Sequence, residues 1–394
     1  MFSHYSLELL WLLPVAAASG WLVASWNRAR DRESRSNFCS NYFKGLNYVL
    51  NEQPDKAIEV FCKMLESDSE TVEVQMAVGN LFRRRGEVDR AIHIHQNLVD
   101  RPKLSAIQHD QALLELGQDF MRAGLLDRAE ALFTELASTE KYNTLALYQL
   151  LDIFEQEKDW HKAIVVAKRL DALGEPNILV VIAQYYCELA EESLNKRDDL
   201  QAQEDMQNAL AIDAHCARAN FLLGDLHRLH QRYEEAIVAY KAVEKQNIDY
   251  FSEVIAPLQV CYEQLNQQAQ LIVYLKAALE KHPLASIVLV LANLIGQQQG
   301  NEAAIDFLLT KLNQFVFVRG LEELVTLYIQ RTEGSARQDL QMIKDLVVQL
   351  IEKKPMYQCK QCGFSSRLLY WQCPSCKTWE SLKPLQRFEG STKN

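Results

Sequence analysis

GNLFRRRGEVDRAIHIHQ, residues 79–96, carries Gly79 and, twelve positions later, Ala91, with Gly86 between them. The same spacing recurs along the chain. Aligned on the alanine, the segments DKAIEVF, DRAIHIH, DRAEALF, HKAIVVA, LQAQEDM and EEAIVAY place Ala57, Ala91, Ala129, Ala163, Ala202 and Ala236 in one register, which Leu271 and Ala304 continue. The separations are 34, 38, 34, 39, 34, 35 and 33 residues. Twelve residues ahead of these positions stand Gly45, Gly79, Gly117, Leu151, Ala190, Gly224, Gln259 and Ala292, mostly small. A fixed period of this length is the signature of a stacked array of supersecondary units.

Two small residues twelve apart suit two antiparallel helices whose backbones approach closely where they cross. One pair cannot bury its apolar face alone, so neighbours stack. This is the tetratricopeptide pattern, and it predicts an all-α, right-handed solenoid of eight aligned pairs with a degenerate ninth over residues 320–353. Gly86 and Gly124 fall between the helices of a pair, and Pro102, Pro176 and Pro283 fall near repeat ends, as helix punctuation should. The longer spacings before Ala129 and Ala202 predict a lengthened helix or loop at each. Composition agrees: 48% hydrophobic, 24% charged, with 14 Gly and 9 Pro in 394 residues, which favours helices with short connections over a β sandwich.

Catalytic signatures are missing. The sequence holds no Gly-x-x-x-x-Gly-Lys phosphate loop, no Gly-x-Gly-x-x-Gly, no His-Glu-x-x-His and no Gly-x-Ser-x-Gly. His93 and His95 come without an evident partner set, and HRLH offers His227 and His230 behind Asp225 as a weak metal candidate. RRRGEVDR mixes both charge signs and reads as exposed helix ends. A net charge of -10 argues against the whole chain being a nucleic-acid binder.

The first residues differ in kind. From Leu9 to Trp26 no charged residue appears, with Trp11, Trp21 and Trp26 suited to interfaces and Pro14 a potential kink. Eighteen helical residues rise about 27 Å, close to a bilayer's hydrocarbon core. No Lys or Arg precedes this run, whereas Arg28, Arg30, Arg32 and Arg35 follow it. A secretory signal carries its charge the other way round. The positive-inside rule places the N-terminus in the periplasm and the body in the cytoplasm, a single-pass anchor of a bacterial inner membrane.

CKQCGFSSRLLYWQCPSCKTW, residues 359–379, closes the chain's chemistry. Cys359, Cys362, Cys373 and Cys376 form two Cys-x-x-Cys pairs with the spacing of one tetrahedral metal site, iron or zinc. The segment is too short to fold on apolar burial alone, and structural metal supplies on the order of 10–16 kcal/mol in finger peptides. Gly363 permits the first knuckle's turn and Pro374 stiffens the second. FSSRLLYWQ is expected to form a short hairpin, with Trp371 and Trp379 packed over the cluster. Lys360, Arg367, Lys377, Lys383, Arg387 and Lys393 outnumber Glu380 and Glu389, so the ribbon could meet an acidic protein, lipid headgroups or nucleic acid. The other cysteines, Cys39, Cys62, Cys187, Cys216 and Cys261, are scattered without regular spacing and read as core residues of a reducing compartment.

Anchor, repeat array and ribbon together resemble the lipopolysaccharide assembly protein B (LapB/YciM) family of Gram-negative bacteria. The resemblance spans the chain and is carried by LLPVAAASGW (12–21), GNLFRRRGEVDRAIHIHQ (79–96), AGLLDRAEALF (123–133) and the cysteine segment with Lys383-Pro384-Leu385 after it. It implies a rubredoxin-like metal ribbon, although true rubredoxins set their knuckles much further apart. It also implies a non-catalytic regulator at the inner membrane, needed for the membrane protease FtsH to degrade the LpxC deacetylase. Lipopolysaccharide synthesis and transport proteins and a membrane lipopolysaccharide sensor are the further partners it implies, with homodimerisation open. The domain plan is an anchor at 1–27, a basic linker at 28–35, the array at 36–354 and the ribbon with its tail at 355–394. Two other readings stand beside it: an RNA- or ribosome-associated scaffold using the basic ribbon, and a general assembly scaffold unrelated to proteolysis.

Overall fold

Every residue of the repeat register is buried: Ala57, Ala91, Ala129, Ala163, Ala202, Ala236 and Leu271 are fully enclosed, and Ala304 is 1% exposed. The reason lies one turn further along the same helix. Four residues after six of these positions stand Phe61, His95, Phe133, Met206, Tyr240 and Leu308, and they meet the small residues of the partner helix. A Cβ added at Gly45 would stand 2.5 Å from Phe61, one at Gly117 2.6 Å from Phe133, and at Gly79 and Gly224 it would run into His95 and Tyr240. Where the small residue is alanine, the large one shrinks. Ala190 shares a core with Met206, and Ala292 with Leu308. Small against large is therefore the local rule that lets the helices cross closely.

The computed structural model describes residue 21 and residues 40–51, 53–67, 72–102, 104–315 and 317–385. The expected anchor and the linker 28–35 lie outside these residues, apart from Trp21, which is helical and exposed. No helix among the described residues is long and apolar enough to cross a membrane. The chain forms two compact units, Met1–Lys158 and Asp159–Asn394. In the first, helices follow one another at 40–50, Pro54–Ser67, Val72–Arg85, Val88–Val99, Ala106–Ala123, Leu126–Leu136 and Asn143–Glu157. The second begins with Trp160–Ala172. Five pairs follow: Ile178–Asn195 with Asp199–Ile212, Ala217–Leu229 with Tyr233–Gln246, Phe251–Gln264 with Gln268–Lys281, Ala285–Gln299 with Asn301–Gln314, and Val318–Arg331 with Ser335–Lys353. The longer register spacings become longer helices, Ala106–Ala123 and Ile178–Asn195, each of 18 residues. Ser335–Lys353 is degenerate in a physical sense, since none of its residues is buried.

Several of the tight turns between helices take a positive φ, which Gly86 and Gly124 adopt without a Cβ penalty at 87° and 74°. Lys158, Arg197, Gln231 and Asn266 take the same conformation at 56–62° in the equivalent turns. Polar side chains at the large position are paired as well as packed. His95 Nδ1 lies 2.5 Å from Asp119 Oδ2, with both residues fully enclosed, and Arg83 Nη1 donates to Asp119 Oδ1 at 2.8 Å. Tyr240 donates to Asp225 Oδ1 at 2.6 Å. His95 thus serves the packing of the second and third repeats.

The crossing rule is tested by a double-mutant cycle on the full chain. Gly117→Ala should lower stability by about 1–2 kcal/mol, the cost of overpacking less the gain in helix propensity. Combining it with Phe133→Leu should recover at least about 0.5 kcal/mol relative to the sum of the single changes. Strict additivity in denaturant midpoints would show that this crossing does not constrain the pair.

Candidate metal centre and its seat on the repeats

The ribbon is a three-stranded antiparallel sheet in the order β2-β1-β3, with β1 at Tyr357–Cys359, β2 at Ser365–Ser366 and β3 at Leu382–Pro384. Tyr357 faces Ser366 on one side and Pro384 on the other, and Cys359 faces Leu382. The two knuckles are built alike. The N–H of Gly363 bonds the Cys359 carbonyl at 3.0 Å, and that of Lys377 bonds the Cys373 carbonyl at 2.9 Å. Both fourth residues are left-handed, Gly363 at φ 78° and Lys377 at φ 58°. The Cys359 and Cys373 N–H groups then reach the carbonyls of Phe364 and Thr378 at 2.7 and 3.0 Å. The hairpin expected within 364–372 is not what forms. The strands instead flank the first knuckle, because β1 must pair on both edges to bring the two cysteine pairs together.

The four sulfurs lie within 4.8 Å of one another. Cys359 Sγ and Cys376 Sγ are 3.7 Å apart, as are Cys362 Sγ and Cys373 Sγ. Sulfurs placed 2.3 Å from a central ion at tetrahedral angles would be about 3.8 Å apart. The donor set therefore fits one ion, zinc or iron, and four thiolates leave no open position for a reacting ligand. Cys359 Sγ also stands 3.3 Å from Ser381 Oγ and accepts from the Cys362 N–H at 3.4 Å. Burial works against its thiolate, but Ser381 and the N–H groups of Cys362 and Gln361 outweigh it and hold the thiol at about 6. Burial pushes the Cys373 thiol up to about 11. Hydrogen bonding to Thr378 lowers Cys376. Tyr357, Leu382, Phe364 and Leu369 close the apolar side of the cluster.

Trp371 and Trp379 were expected over the cluster; both turn to the helices instead. Trp379 meets the edges of Trp160 and Tyr185 at centroid distances of 6.3 and 5.9 Å. Trp371 lies 4.8 Å from the Tyr250 ring and 5.6 Å from the Arg218 guanidinium. The indoles give the small sheet an apolar surface that only the repeats can cover. Polar contacts fix the register. Tyr250 donates to the carbonyls of Glu380 and Leu382 at 3.1 and 3.0 Å, Gln184 donates to Glu380 Oε1 at 2.7 Å, and Tyr357 donates to Glu253 Oε2 at 2.8 Å. Arg218, only 2% exposed, donates to Gln184, Glu188 and Glu191 and so braces the seat from below.

This seat takes up part of the ribbon's charge. Lys383 stands over the Tyr250 ring at 4.1 Å, where burial lowers its ammonium pKa. Burial raises the Glu380 carboxyl, with Lys383 opposing. Lys360, Arg367 and Lys377 stay exposed, while Arg387 and Lys393 lie outside the described residues. The weak histidine candidate is dispersed: His230 Nε2 pairs with Asp199 at 2.7 Å, and Asp225 serves Tyr240 and Arg228. Two of the scattered cysteines do meet, Cys187 and Cys216, 3.7 Å apart beneath Gln184. Burial raises the Cys187 thiol well above its ordinary value, which makes it an inert core group. Sequence reading missed Gln184, Arg218, Tyr250 and Glu253. The one visible signal was an arginine set among small apolar residues in CARAN, 216–220.

Two outcomes check this site. The purified full chain should carry one metal ion per molecule by elemental analysis, and Cys359→Ser with Cys362→Ser should lose it. Tyr250→Phe removes one donor shared by two carbonyls and should loosen the seat by about 1–2 kcal/mol. It should speed proteolytic cleavage of the ribbon while retaining the metal. Unchanged cleavage would remove Tyr250 from the seat.

Comparison with known proteins follows the same division of the chain. Residues 357–384 match a family model described as a rubredoxin metal binding domain, and residues 188–250 match a tetratricopeptide repeat model. Among solved structures, a tetratricopeptide repeat protein from Parabacteroides merdae is 12% identical, covering 74% of this chain and 98% of its own, at a TM-score of 0.29. Lipopolysaccharide assembly protein B of Escherichia coli K12 is 38% identical over 387 residues, 98% of this chain and 100% of that protein. The Haemophilus influenzae protein of the same name is 35% identical, covering 97% and 99%. Identity of this level, running end to end across repeats and ribbon alike, shows that the chain belongs to the lipopolysaccharide assembly protein B family.

Proposed function

We propose that the chain is a non-catalytic adaptor of lipopolysaccharide assembly, held at the bacterial inner membrane with its body in the cytoplasm. End-to-end similarity to proteins named for lipopolysaccharide assembly carries the reading. Tetratricopeptide repeats supply protein-binding surface, and a closed four-cysteine centre supplies rigidity in place of a reactive metal. Cys359, Cys362, Cys373 and Cys376 hold the ion in this reading, whose contribution is to fix two knuckles. Gln184, Tyr250 and Glu253 then orient the ribbon on the helices.

The finer reading is that the adaptor promotes degradation of LpxC by FtsH and gathers other lipopolysaccharide-assembly proteins. A span over residues 9–26 would confine the body to the plane of a membrane protease, raising effective concentration without any added contact. Lipopolysaccharide content would then be set by how often the adaptor presents the deacetylase to the protease.

Reconstitution tests this directly. In vesicles holding FtsH and ATP, the full chain should accelerate loss of LpxC, and residues 27–394 fused to an unrelated span should do the same. The double cysteine variant should lose the effect together with capture of either protein from solubilised membranes. No acceleration, with other assembly proteins still captured, would replace the adaptor by a general scaffold. Recovery of RNA alone would favour the ribosome-associated reading.

A further inference from the structure

Counting from the position twelve residues ahead of the repeat register, offsets of −6, −2, +1 and +5 mark one stripe along the first helix of a pair, since steps of four and three residues keep to one face. In the second unit the ribbon seat uses this stripe. Gln184, Glu188 and Glu191 stand at −6, −2 and +1 from Ala190, and Arg218 and Glu253 at −6 from Gly224 and Gln259. Within the first unit the same stripe lines an open groove of ≈ 650 Å³. Its lining includes Arg84, Arg122 and Gln156 at +5, Gln118 and Asp152 at +1, and Gln149 at −2.

The charge in this groove is unevenly spent. Arg83, which also lines it, is committed to Glu115 and Asp119 at 2.5 and 2.8 Å. Among the described residues Arg84 and Arg122 make no ion pair, and both are exposed. They occupy the same offset on consecutive first helices, Val72–Arg85 and Ala106–Ala123, which pack together. Packed helices lie about 8–10 Å apart, and an extended chain in the polyproline II form, with three residues per turn and a rise of about 3.1 Å, would present side chains three residues apart to the two guanidiniums from one face. Arg84 and Arg122 suit carboxylates, and three glutamines suit peptide amides and carbonyls.

We propose that this groove binds an acidic segment of a partner protein extended in the polyproline II form, its carboxylates three residues apart on Arg84 and Arg122. The chain's own ribbon gives the precedent: the same stripe receives the acidic Glu380 through Gln184. Nucleic acid fits less well. The groove holds Asp152 and no aromatic platform, and a phosphate chain would demand more than two open cations. The assignment extends the adaptor reading by naming the class of segment held.

The test uses the full chain in detergent and fluorescent, end-blocked peptides of about nine residues in a Ser/Asn background, carrying two Glu, two Gln or two Lys three positions apart. The Glu peptide should bind about tenfold more tightly than either control, a difference that salt at about 0.5 M should shrink. Arg84→Glu with Arg122→Glu should abolish the preference at an unchanged melting temperature. If that variant melts lower, Arg84→Gln with Arg122→Gln provides the same comparison at reduced charge. Equal binding of the three peptides, or a preference that survives the arginine changes, overturns the proposal. So does a single-stranded RNA that displaces the Glu peptide more strongly than unlabelled Glu peptide does. Loss of peptide binding with partner capture intact would remove this groove's role and leave the adaptor reading standing.

Discussion

Close crossing within each helix pair governs the surfaces of this chain. Gly117 can lie against Phe133, and Gly224 against Tyr240, only because the first helix presents no side chain there. That contact fixes the rotation of the first helix about its own axis. The stripe at −6, −2, +1 and +5 then points away from the crossing by geometry and is free to take a ligand. In the second unit it takes the chain's own ribbon, and in the first it lines a groove with two arginines that make no ion pair among the described residues. Packing inside the pair thus decides where binding can occur.

The ribbon depends on two partners at once. Its strands are two or three residues long and would not hold together by backbone pairing alone. The four cysteines can tie its knuckles to one centre, while Trp371 and Trp379 give it an apolar face that the helices must cover. Breaking either support exposes the other. A metal-free ribbon would leave Tyr250, Trp160 and Tyr185 facing water, and an unseated ribbon would expose both indoles. Coupling of this kind lets a structural metal act on a protein-binding array without any reactive coordination site.

Much of the array was legible in the sequence because its information is periodic. The register from Ala57 to Ala304 repeats one requirement eight times, and the cysteine pairs carry theirs in local spacing. Contacts made once and at long range were not legible. Gln184 and Glu380, or Tyr250 and Leu382, lie far apart in the chain, and nothing local in either segment names the other. For the same reason Trp371 and Trp379 were expected over the nearest apolar group, the cluster itself. Gly86 and Gly124 announced their turns, whereas Lys158, Arg197, Gln231 and Asn266 adopt the same backbone with an ordinary side chain, each N–H closing onto the carbonyl three residues back at 3.0–3.3 Å. His95 seemed partnerless because Asp119 lies on the next repeat's first helix.

Hydrogen exchange along the full chain, metal-loaded against metal-stripped, bears most directly on the claim that one centre stiffens both ribbon and array. Stripping should deprotect residues 357–384 and also the seat on Ile178–Asn195, Ala217–Leu229 and Ile248–Gln264. The helices from Val72 to Leu136 should exchange as before. A change confined to residues 357–384, with the seat helices untouched, would mean that the ribbon folds on its metal without stiffening the repeats, and the account would fail.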